Sequence, residues 1–263
     1  MESTKAIDID AYRARIGDTG SVAPDLDTLK RIHLAHVTTI PFENLDIHLG
    51  KPIAIDLESV ARKIIDGHRG GYCFEQNTLF AGVLERLGYR VTRLGARVGF
   101  GDVRSLKRTH MVLFVHVEGK DYIADVGFGA GELLEPMPFV VNTPHTQYGR
   151  TFTLRRRDDV YTLHEGERDM YHFTLDEVYD VDRVVANHYT STHPESGFVK
   201  TLTVQLEGID TRWILRGRTF QTIDKGETSE LEIGGDRQLL DVLATTFDLH
   251  FPEGTVFRSP NER

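Results

Sequence analysis

The chain has 263 residues but only one cysteine, no long apolar run and too few basic residues to balance its acidic ones. The lone Cys73 excludes an intrachain disulfide and any zinc or iron–sulfur site built from several cysteines. No apolar run approaches the ~20 residues that a membrane-spanning helix needs, so we expect no membrane partner. Residues 1–5 lack the basic and then apolar pattern of a secretory signal, and we therefore expect a cytoplasmic protein.

The net charge of −9 argues against a nucleic-acid partner, because nucleic-acid-binding proteins need a basic face that neutralises phosphates. A local basic cluster is nevertheless present at Arg104, Lys107 and Arg108. Such a cluster attracts a small anionic ligand in spite of the overall charge. Two interpretations stay open for it: steering of ligand phosphates, or a solvated basic loop.

Three amphipathic segments predict a helical bundle in the first third of the chain. Apolar residues recur at helical spacing after Pro24, and again from Asp56 to Gly67. A third segment opens at Cys73 and ends at Gly88, a residue type suited to the left-handed position after a helix. The sequence contains no internal repeat and no low-complexity tract, so we expect tightly packed units.

From residue 89 the pattern changes to short strands and turns, which predicts an antiparallel β-barrel or sandwich. Residues 111–117 are almost continuously apolar, as a strand buried on both faces would be. Residues 118–121 are expected to form a turn before a returning strand at 122–126. Further strands, one of them at 213–219, precede a closing helix, so the predicted fold class is α+β.

Cys73 lies where a helix N-terminus follows a pair of glycines. Unpaired N–H groups and the positive end of the helix dipole favour the thiolate, which is the reactive form of cysteine. Gly70 and Gly71 let the backbone turn sharply and approach another group closely. A buried, unreactive cysteine is the alternative, since free cysteines are often buried. Placement alone leaves both interpretations open.

A reactive thiol needs a base, and the base needs an orienting group. Among 12 histidines, His110 lies at the start of the most apolar strand. Asp125 is a carboxylate within an apolar strand, where burial without a partner is costly. The alternatives are a surface histidine and a carboxylate bound by turn amides. His33 and His36 have a spacing compatible with metal binding, but without supporting carboxylates we interpret them as helix-face residues and predict no metal site.

A simple hairpin brings His110 and Asp125 to one face of the sheet without bringing them together. With a two-residue turn at 119–120, Asp125 lies opposite Phe114. Phe114 is four residues from His110, which corresponds to about 13 Å along a strand. A bulge, strong coiling of the sheet or a longer loop has to close that distance.

The segment around Cys73 resembles the active-site signature of the arylamine N-acetyltransferases, with the sequence RGGYCFEQN at residues 69–77. Three more segments match that family in the same order: IPFENL at 40–45, THM at 109–111 and DVGFG at 125–129. NHYTSTHP at 187–194 resembles a later segment of the family. Five matches in order are more specific than any one of them.

The resemblance implies three units in the α+β fold: an N-terminal helical bundle at residues 1–88, a central antiparallel β-barrel at 89–198 and a C-terminal α/β lid at 199–263. It also implies a cysteine-protease-like triad of Cys73, His110 and Asp125. The implied activity is ping-pong transfer of an acetyl group from acetyl-CoA to arylamines, arylhydrazines or N-hydroxyarylamines through an acetyl-cysteine, as in xenobiotic metabolism. The expected partners are CoA and a small aromatic amine, and the expected state is a monomer or homodimer.

The resemblance further implies contacts to the ligands. Phe42 and Phe128 are expected beside the thiol, where their rings would stack on an aryl group. Thr109 is expected at the CoA entrance. An amide-lined turn for the CoA pyrophosphate is predicted at three glycines: Gly127, Gly129 and Gly131. The alternatives are two ordinary core aromatics and a glycine-rich turn that binds no ligand.

Three other functions stay open from the sequence. A Cys-His-Asp triad also serves cysteine hydrolases and transglutaminase-like enzymes, although the sequence around Cys73 favours acyl transfer from CoA. Some members of the resembled family close macrolactam rings on polyketide chains instead of acetylating amines. A binding module with a buried lone cysteine is the non-enzymatic alternative.

Overall fold

The computed structural model describes residues 7–129 and 131–262. Residues 1–5, on which the expectation about a secretory signal rests, lie outside this part of the chain. The α-helices of the described residues are α1 Ile9–Arg15, α2 Leu26–Thr39, α3 Leu45–His48, α4 Leu57–Ala61, α5 Cys73–Leu87, α6 Asp180–Thr192, α7 Gly197–Lys200 and α8 Asp236–Phe247. None of the helices in these two ranges is both long and apolar enough to cross a membrane.

The strands of the described residues are β1 Phe42–Glu43, β2 Arg90–Val98, β3 His110–Val117, β4 Lys120–Ala124, β5 Met137–Pro138, β6 Pro144–Gln147, β7 Arg150–Arg157, β8 Val160–Glu165, β9 Arg168–Glu177, β10 Thr203–Glu207, β11 Thr211–Arg216, β12 Thr219–Asp224 and β13 Glu227–Glu232. Eight of them form one antiparallel sheet in the order β5-β4-β3-β2-β9-β8-β7-β6, which closes nearly into a barrel. The other five form a second sheet in the order β1-β10-β11-β12-β13. The predicted α+β class is confirmed.

The helix that begins at Cys73 is confirmed. Gly88 ends α5 in the left-handed conformation at φ 100°, as its residue type predicts. The Asp56 carboxylate caps α4 by accepting the Ser59 N–H at 2.9 Å, as expected for the second helix. The chain then continues as a π-helical turn at Arg62–Asp66, which the sequence pattern did not indicate.

The turn between β3 and β4 lies one residue earlier than predicted. It consists of Glu118 and Gly119, whose φ angles are 52° and 73°. Positive φ at both central positions is typical of a type I′ turn, whose twist matches that of the paired strands. Val117 consequently pairs with Lys120, and the predicted register is wrong by two residues across the hairpin.

The observed register removes most of the predicted separation between His110 and Asp125. Because Leu113 pairs with Ala124, the next residue, Asp125, lies level with Val112. Val112 is two residues from His110, which is about 7 Å along a strand instead of about 13 Å. The two side chains can span what remains.

The second sheet ties the start of the chain to its last third. Phe42 in β1 pairs with Gln205 in β10, although 163 residues separate them by number. The helix α8 packs on this sheet through Leu243, which lies in one apolar core with Leu215. The single strand predicted at 213–219 is wrong, since a turn at residues 217–218 divides it between β11 and β12.

Candidate active site

The first turn of α5 is held by a tightly packed loop. A Cβ atom on Gly70 would overlap the backbone oxygen of Pro41, so this position requires glycine. Glu75 reaches back and accepts the Tyr72 N–H at 3.1 Å, which caps the start of the helix. Cys73 therefore occupies a fixed position at the N-terminus of α5, where the backbone N–H groups have no partner within the helix.

A buried group of charged side chains, here called the charge cluster, lies behind this loop and consists of Glu43, Asp46, Lys63, Arg69 and Glu75. Lys63 Nζ contacts Glu75 Oε1 at 2.7 Å and Asp46 Oδ2 at 2.8 Å. Arg69 contacts Glu43 Oε1 at 2.7 Å. Burial raises the pKa of Glu75 to about 7, Lys63 opposes this rise, and Glu43 adds to it.

Sequence reasoning did not find the role of Lys63. Its position depends on the π-helical turn, which changes the side chains that share a face of the helix. The sequence did contain one signal, the capping-box pattern at Glu75. One carboxylate oxygen of Glu75 caps the helix, and the other, once buried, needs a donor, which Lys63 provides.

His110 and Asp125 meet at the end of the β3–β4 hairpin. His110 Nε2 and Asp125 Oδ2 are 2.8 Å apart, and the two side chains are only 4% and 1% exposed. Burial alone would lower the pKa of His110, but the charge and hydrogen bond of Asp125, together with the Cys73 side chain, raise it to about 10. With Nε2–H donating to Asp125, Nδ1 is the ring nitrogen left for the thiol.

The Asp125 carboxylate is fully supported by donors. Its Oδ1 accepts from Asn77 Nδ2 at 2.9 Å and from the Gly127 N–H at 3.1 Å. Asn77 also donates to Met111 O at 2.8 Å and accepts the Val126 N–H at 3.1 Å. Since paired donors repay the desolvation of a buried carboxylate, this network fixes the direction in which His110 points.

The two histidines of α2 support the same region. His33 Nε2 accepts the Asp125 N–H at 3.2 Å, and burial lowers the pKa of His33 to about 4. His36 Nε2 bonds Gln76 Oε1 at 2.7 Å, and burial lowers the pKa of His36 to about 3. Both are therefore neutral and buried against the core. Within residues 7–129 and 131–262, no group of three or more His, Cys, Asp or Glu side chains is arranged to hold a metal ion.

The thiol of Cys73 opens into a cleft of about 610 Å³. Cys73 itself is 3% exposed, and its Sγ lies 3.6 Å from Thr109 O. The residues predicted to form the triad and the substrate pocket lie in one place. The cleft is lined by several of them: Phe42, Cys73, Thr109, His110, Gly127 and Phe128. Asp125 lies directly behind His110.

Aromatic rings surround the imidazole. Phe128 meets His110 edge to face, with centroids 5.4 Å apart, and Tyr171 packs on it at 5.1 Å. Phe42 contacts Phe198 at 5.7 Å on the cleft wall. Sequence reasoning missed Tyr171 and Phe198, although Phe198 closely follows the last matching segment.

The three predicted glycines occupy different environments. A Cβ atom on Gly127 would lie 2.8 Å from Cys73 Cα, so glycine is needed for the close approach of two segments. The Gly127 N–H already donates to Asp125, and the Gly131 N–H donates to Glu207 at 2.6 Å. In this geometry these two amides are not available for a pyrophosphate, which corrects the predicted amide-lined turn. Gly129 is buried beside Phe42.

The basic cluster is divided between two environments. Arg104 is exposed and pairs with Asp102 at 3.6 Å, away from the cleft lining. Arg108 donates to Gly95 O at 3.1 Å and lines a smaller cavity beside α6. Of the three residues of the basic cluster, only Lys107 lines the main cleft. Arg216, which the sequence gave no reason to select, lines the same cleft.

Comparison with known proteins identifies the family to which this fold belongs. A family model described as N-acetyltransferase matches residues 25–256. The arylamine N-acetyltransferase of Mycolicibacterium smegmatis is 39% identical over 254 residues, covering 93% of this chain and 92% of that protein. An arylamine N-acetyltransferase / N-hydroxyarylamine O-acetyltransferase of Salmonella typhimurium is 37% identical over 198 residues, covering 72% and 69%.

A solved structure of Mycobacterium marinum arylamine N-acetyltransferase in complex with CoA superposes with a TM-score of 0.87 at 34% identity, covering 92% of both chains. The fold and these matches define the chain as an acetyltransferase enzyme. It belongs to the arylamine N-acetyltransferase family. The cysteine hydrolase and the non-enzymatic binding module are thereby set aside.

Proposed function

We propose that the chain acetylates arylamines, arylhydrazines and N-hydroxyarylamines from acetyl-CoA through an acetyl-Cys73 intermediate. The observation that carries the proposal is the 2.8 Å contact of His110 with Asp125 beside the cleft that contains the thiol. The names of the Mycolicibacterium smegmatis and Salmonella typhimurium relatives support the acceptors, and the CoA complex of the Mycobacterium marinum relative supports the donor.

In the first half-reaction, Cys73 attacks the thioester carbonyl as a thiolate paired with the His110 imidazolium. The Cys73 N–H at the start of α5 donates to the oxyanion of the tetrahedral intermediate. The bond from carbonyl carbon to the CoA sulfur breaks, and the CoA thiolate takes the proton from His110. The products are acetyl-Cys73, free CoA and a neutral imidazole that Asp125 keeps oriented.

In the second half-reaction, the amine nitrogen attacks the acetyl carbonyl of acetyl-Cys73. Neutral His110 accepts the proton that the amine loses, and Cys73 leaves as a thiolate. The ion pair is thereby restored, and one acetyl group has moved for each CoA released. Aromatic amines suit this step because they are weakly basic and stay unprotonated near neutral pH, whereas alkylamines are protonated.

The cleft walls give each substrate a place. Phe42 and Phe128 present aromatic surface beside Cys73 on which an aryl ring can stack. Thr109 lies next to His110 where the acetyl end of the donor has to arrive. Lys107 and Arg216 are exposed cations at the cleft and are suited to the phosphates of CoA. The absence of a free amide at Gly127 and Gly131 makes these side chains the better phosphate contacts.

Three further properties belong to the proposal. We expect a cytoplasmic protein that is a monomer or homodimer, with unit boundaries after residues 88 and 198. The pairing of β1 with β10 means that the first and third of these units share one sheet.

Intact-protein mass spectrometry and burst kinetics test the proposed function. Wild-type protein mixed with acetyl-CoA should gain one acetyl group on Cys73, and should lose it when an arylamine is added. Cys73→Ala should gain no acetyl group and show no turnover. Full turnover by Cys73→Ala would contradict the mechanism. If the protein closed rings on long acyl chains that carry their own amine but did not acetylate a simple arylamine, macrolactam formation would be favoured instead.

A further inference from the structure

A buried amide side chain that has no hydrogen-bond partner in the described part of the chain lies on the wall of the active-site cleft. Gln205 belongs to β10, pairs with Phe42 across the ladder, and lines the same cleft as Cys73. The residue is only 5% exposed. Its Oε1 is buried and has no hydrogen-bond partner within residues 7–129 and 131–262.

The other buried glutamines of the described chain behave differently. Gln76 Nε2 donates to Pro41 O at 3.1 Å, and Gln76 Oε1 accepts from His36 Nε2 at 2.7 Å. Gln147 accepts the Leu134 N–H at 3.1 Å. Because native proteins pair nearly all buried polar groups, an orphaned amide oxygen beside a substrate cleft points to a partner that arrives with the ligand.

The surroundings of Gln205 leave its amide able to turn. Its Oε1 lies 3.2 Å from the position that a Cβ on Gly129 would occupy, and Gly129 also lies against Phe42. No hydrogen bond to the rest of the described chain holds either end of the amide. Rotation about the last side-chain bond exchanges the carbonyl and amino ends, so this group can offer the cleft an acceptor or a donor.

We propose that Gln205 is a specificity-determining residue that hydrogen-bonds the amide group of a substrate bound in the cleft. The inference rests on the proposed function, which requires acetyl-CoA and the acceptor to reach Cys73 in turn. The side-chain amide of Gln205 can accept from the N–H of a substrate amide or donate to its C=O. Two ligands would bring an amide to the cleft: acetyl-CoA, in its pantetheine arm, and an acceptor in which the hydrazine carries an acyl group, so that the amide lies next to the reacting nitrogen.

The two half-reactions distinguish these sources. For the acceptor, deacetylation of acetyl-Cys73 is measured with an aryl acid hydrazide and with an arylamine that has no amide. For the donor, acetylation of Cys73 is measured with acetyl-CoA and with p-nitrophenyl acetate, which has no amide. Gln205→Leu and the shape-preserving Gln205→Met are compared with wild type. Gln221→Leu is the matched control, because Gln221 is partly exposed on β12, does not line the cleft and bonds Glu230.

Each half-reaction gives one ratio: the rate with the substrate that contains an amide divided by the rate with the substrate that lacks one. Gln205→Leu and Gln205→Met should lower one of these two ratios by about three- to tenfold, the effect of one hydrogen bond. A fall in the hydrazide ratio assigns the contact to the acceptor, and a fall in the acetyl-CoA ratio assigns it to the pantetheine arm. The thermal unfolding midpoint should not fall, since the amide that is removed has no hydrogen-bond partner among the described residues. Gln221→Leu should leave both ratios unchanged.

Unchanged ratios in both Gln205 variants would overturn the inference. That outcome is distinct from failure of the proposed function, in which the wild-type protein itself would gain no acetyl group on Cys73. A variant that unfolds at a lower temperature with both ratios unchanged would also overturn the inference, because Gln205 would then have a structural role only.

Discussion

The inner wall of the cleft and its rim are built in opposite ways. The inner wall, defined here as Cys73, His110, Asp125 and Asn77, is buried, and the polar atoms of its Asp125 carboxylate all have partners within the protein. The other polar residues of the cleft lining, here called the rim and defined as Lys107, Gln205 and Arg216, offer two exposed cations and a buried amide with no hydrogen-bond partner among the described residues. Paired groups are suited to holding a fixed geometry for chemistry, and unpaired groups are suited to receiving a ligand.

The largest effect is expected from breaking the inner wall. Asp125→Asn keeps the shape of the side chain but removes the charge that orients His110 and stabilises its imidazolium. We expect turnover to fall by about 10⁴-fold, the scale found when a triad carboxylate is neutralised. Steady-state kinetics with acetyl-CoA and an arylamine measure it. Asp121→Asn is the control, because Asp121 pairs with His116 at a half-exposed site on the same hairpin. A fall of less than tenfold would contradict the role of Asp125.

The second effect concerns the charge cluster that supports the inner wall from behind. Lys63→Met leaves Glu75 without its cation, whereas Asp46 keeps Arg69, and breaking a buried ion pair costs about 3 kcal/mol or more. Because burial raises the pKa of Glu75 to about 7, this carboxyl is neutral at pH 5.5 and ionised at pH 8. The loss of unfolding free energy should therefore be larger at pH 8 than at pH 5.5.

Urea unfolding at the two pH values measures that difference. The sign follows because Lys63 lowers the pKa of Glu75, so that removing Lys63 raises this pKa further above 4.5 and makes ionisation cost the variant more than the wild type as pH rises. Glu43, Asp46 and Arg69 also face the cluster and remain in the variant. Lys63→Arg should preserve most of the stability. Equal losses at both pH values would show that Lys63 does not act through Glu75.

The smallest effect is expected at the rim. Lys107→Ala and Arg216→Ala each remove one exposed cation, and exposed charge contacts are screened by water and salt. We expect a few-fold rise in the KM for acetyl-CoA with kcat unchanged, and the rise should shrink at high salt. Arg104→Ala is the matched control, since Arg104 is exposed but does not line the cleft. A similar rise for p-nitrophenyl acetate, which has no phosphates, would exclude phosphate binding.

The contrast between wall and rim also explains what the sequence could predict. Cys73 was found because helix capping and the glycine turn are local signals, and α5 begins and ends where they indicated. His110 and Asp125 were found as chemical types, but their separation was not, because a type I′ turn at Glu118 moved the register. The sequence could predict that His110 and Asp125 share one face of the sheet and act as partners, whereas the distance between them depended on the turn of the β3–β4 hairpin.

Lys107 was found as part of a basic cluster, but the other two rim residues and the charge cluster could not be found from local patterns. Gln205 approaches the cleft only because β10 pairs with the two-residue strand β1, a contact between distant parts of the chain. Lys63 depends on a π-helical turn. The opposite error occurred at Gly127 and Gly131, where a glycine-rich segment resembled an anion-binding turn but its amides bind Asp125 and Glu207.

The pH dependence of Cys73 labelling by iodoacetamide tests the central claim most directly, namely that the inner wall holds the thiolate in a preformed ion pair. With a pKa of about 10, His110 stays protonated from pH 6 to pH 9. Wild-type labelling should therefore change less than threefold across that range, and Asp125→Asn should slow labelling at pH 6 far more than at pH 9. A wild-type rate that rises about tenfold per pH unit between 6 and 8, as for an ordinary thiol, would contradict the account.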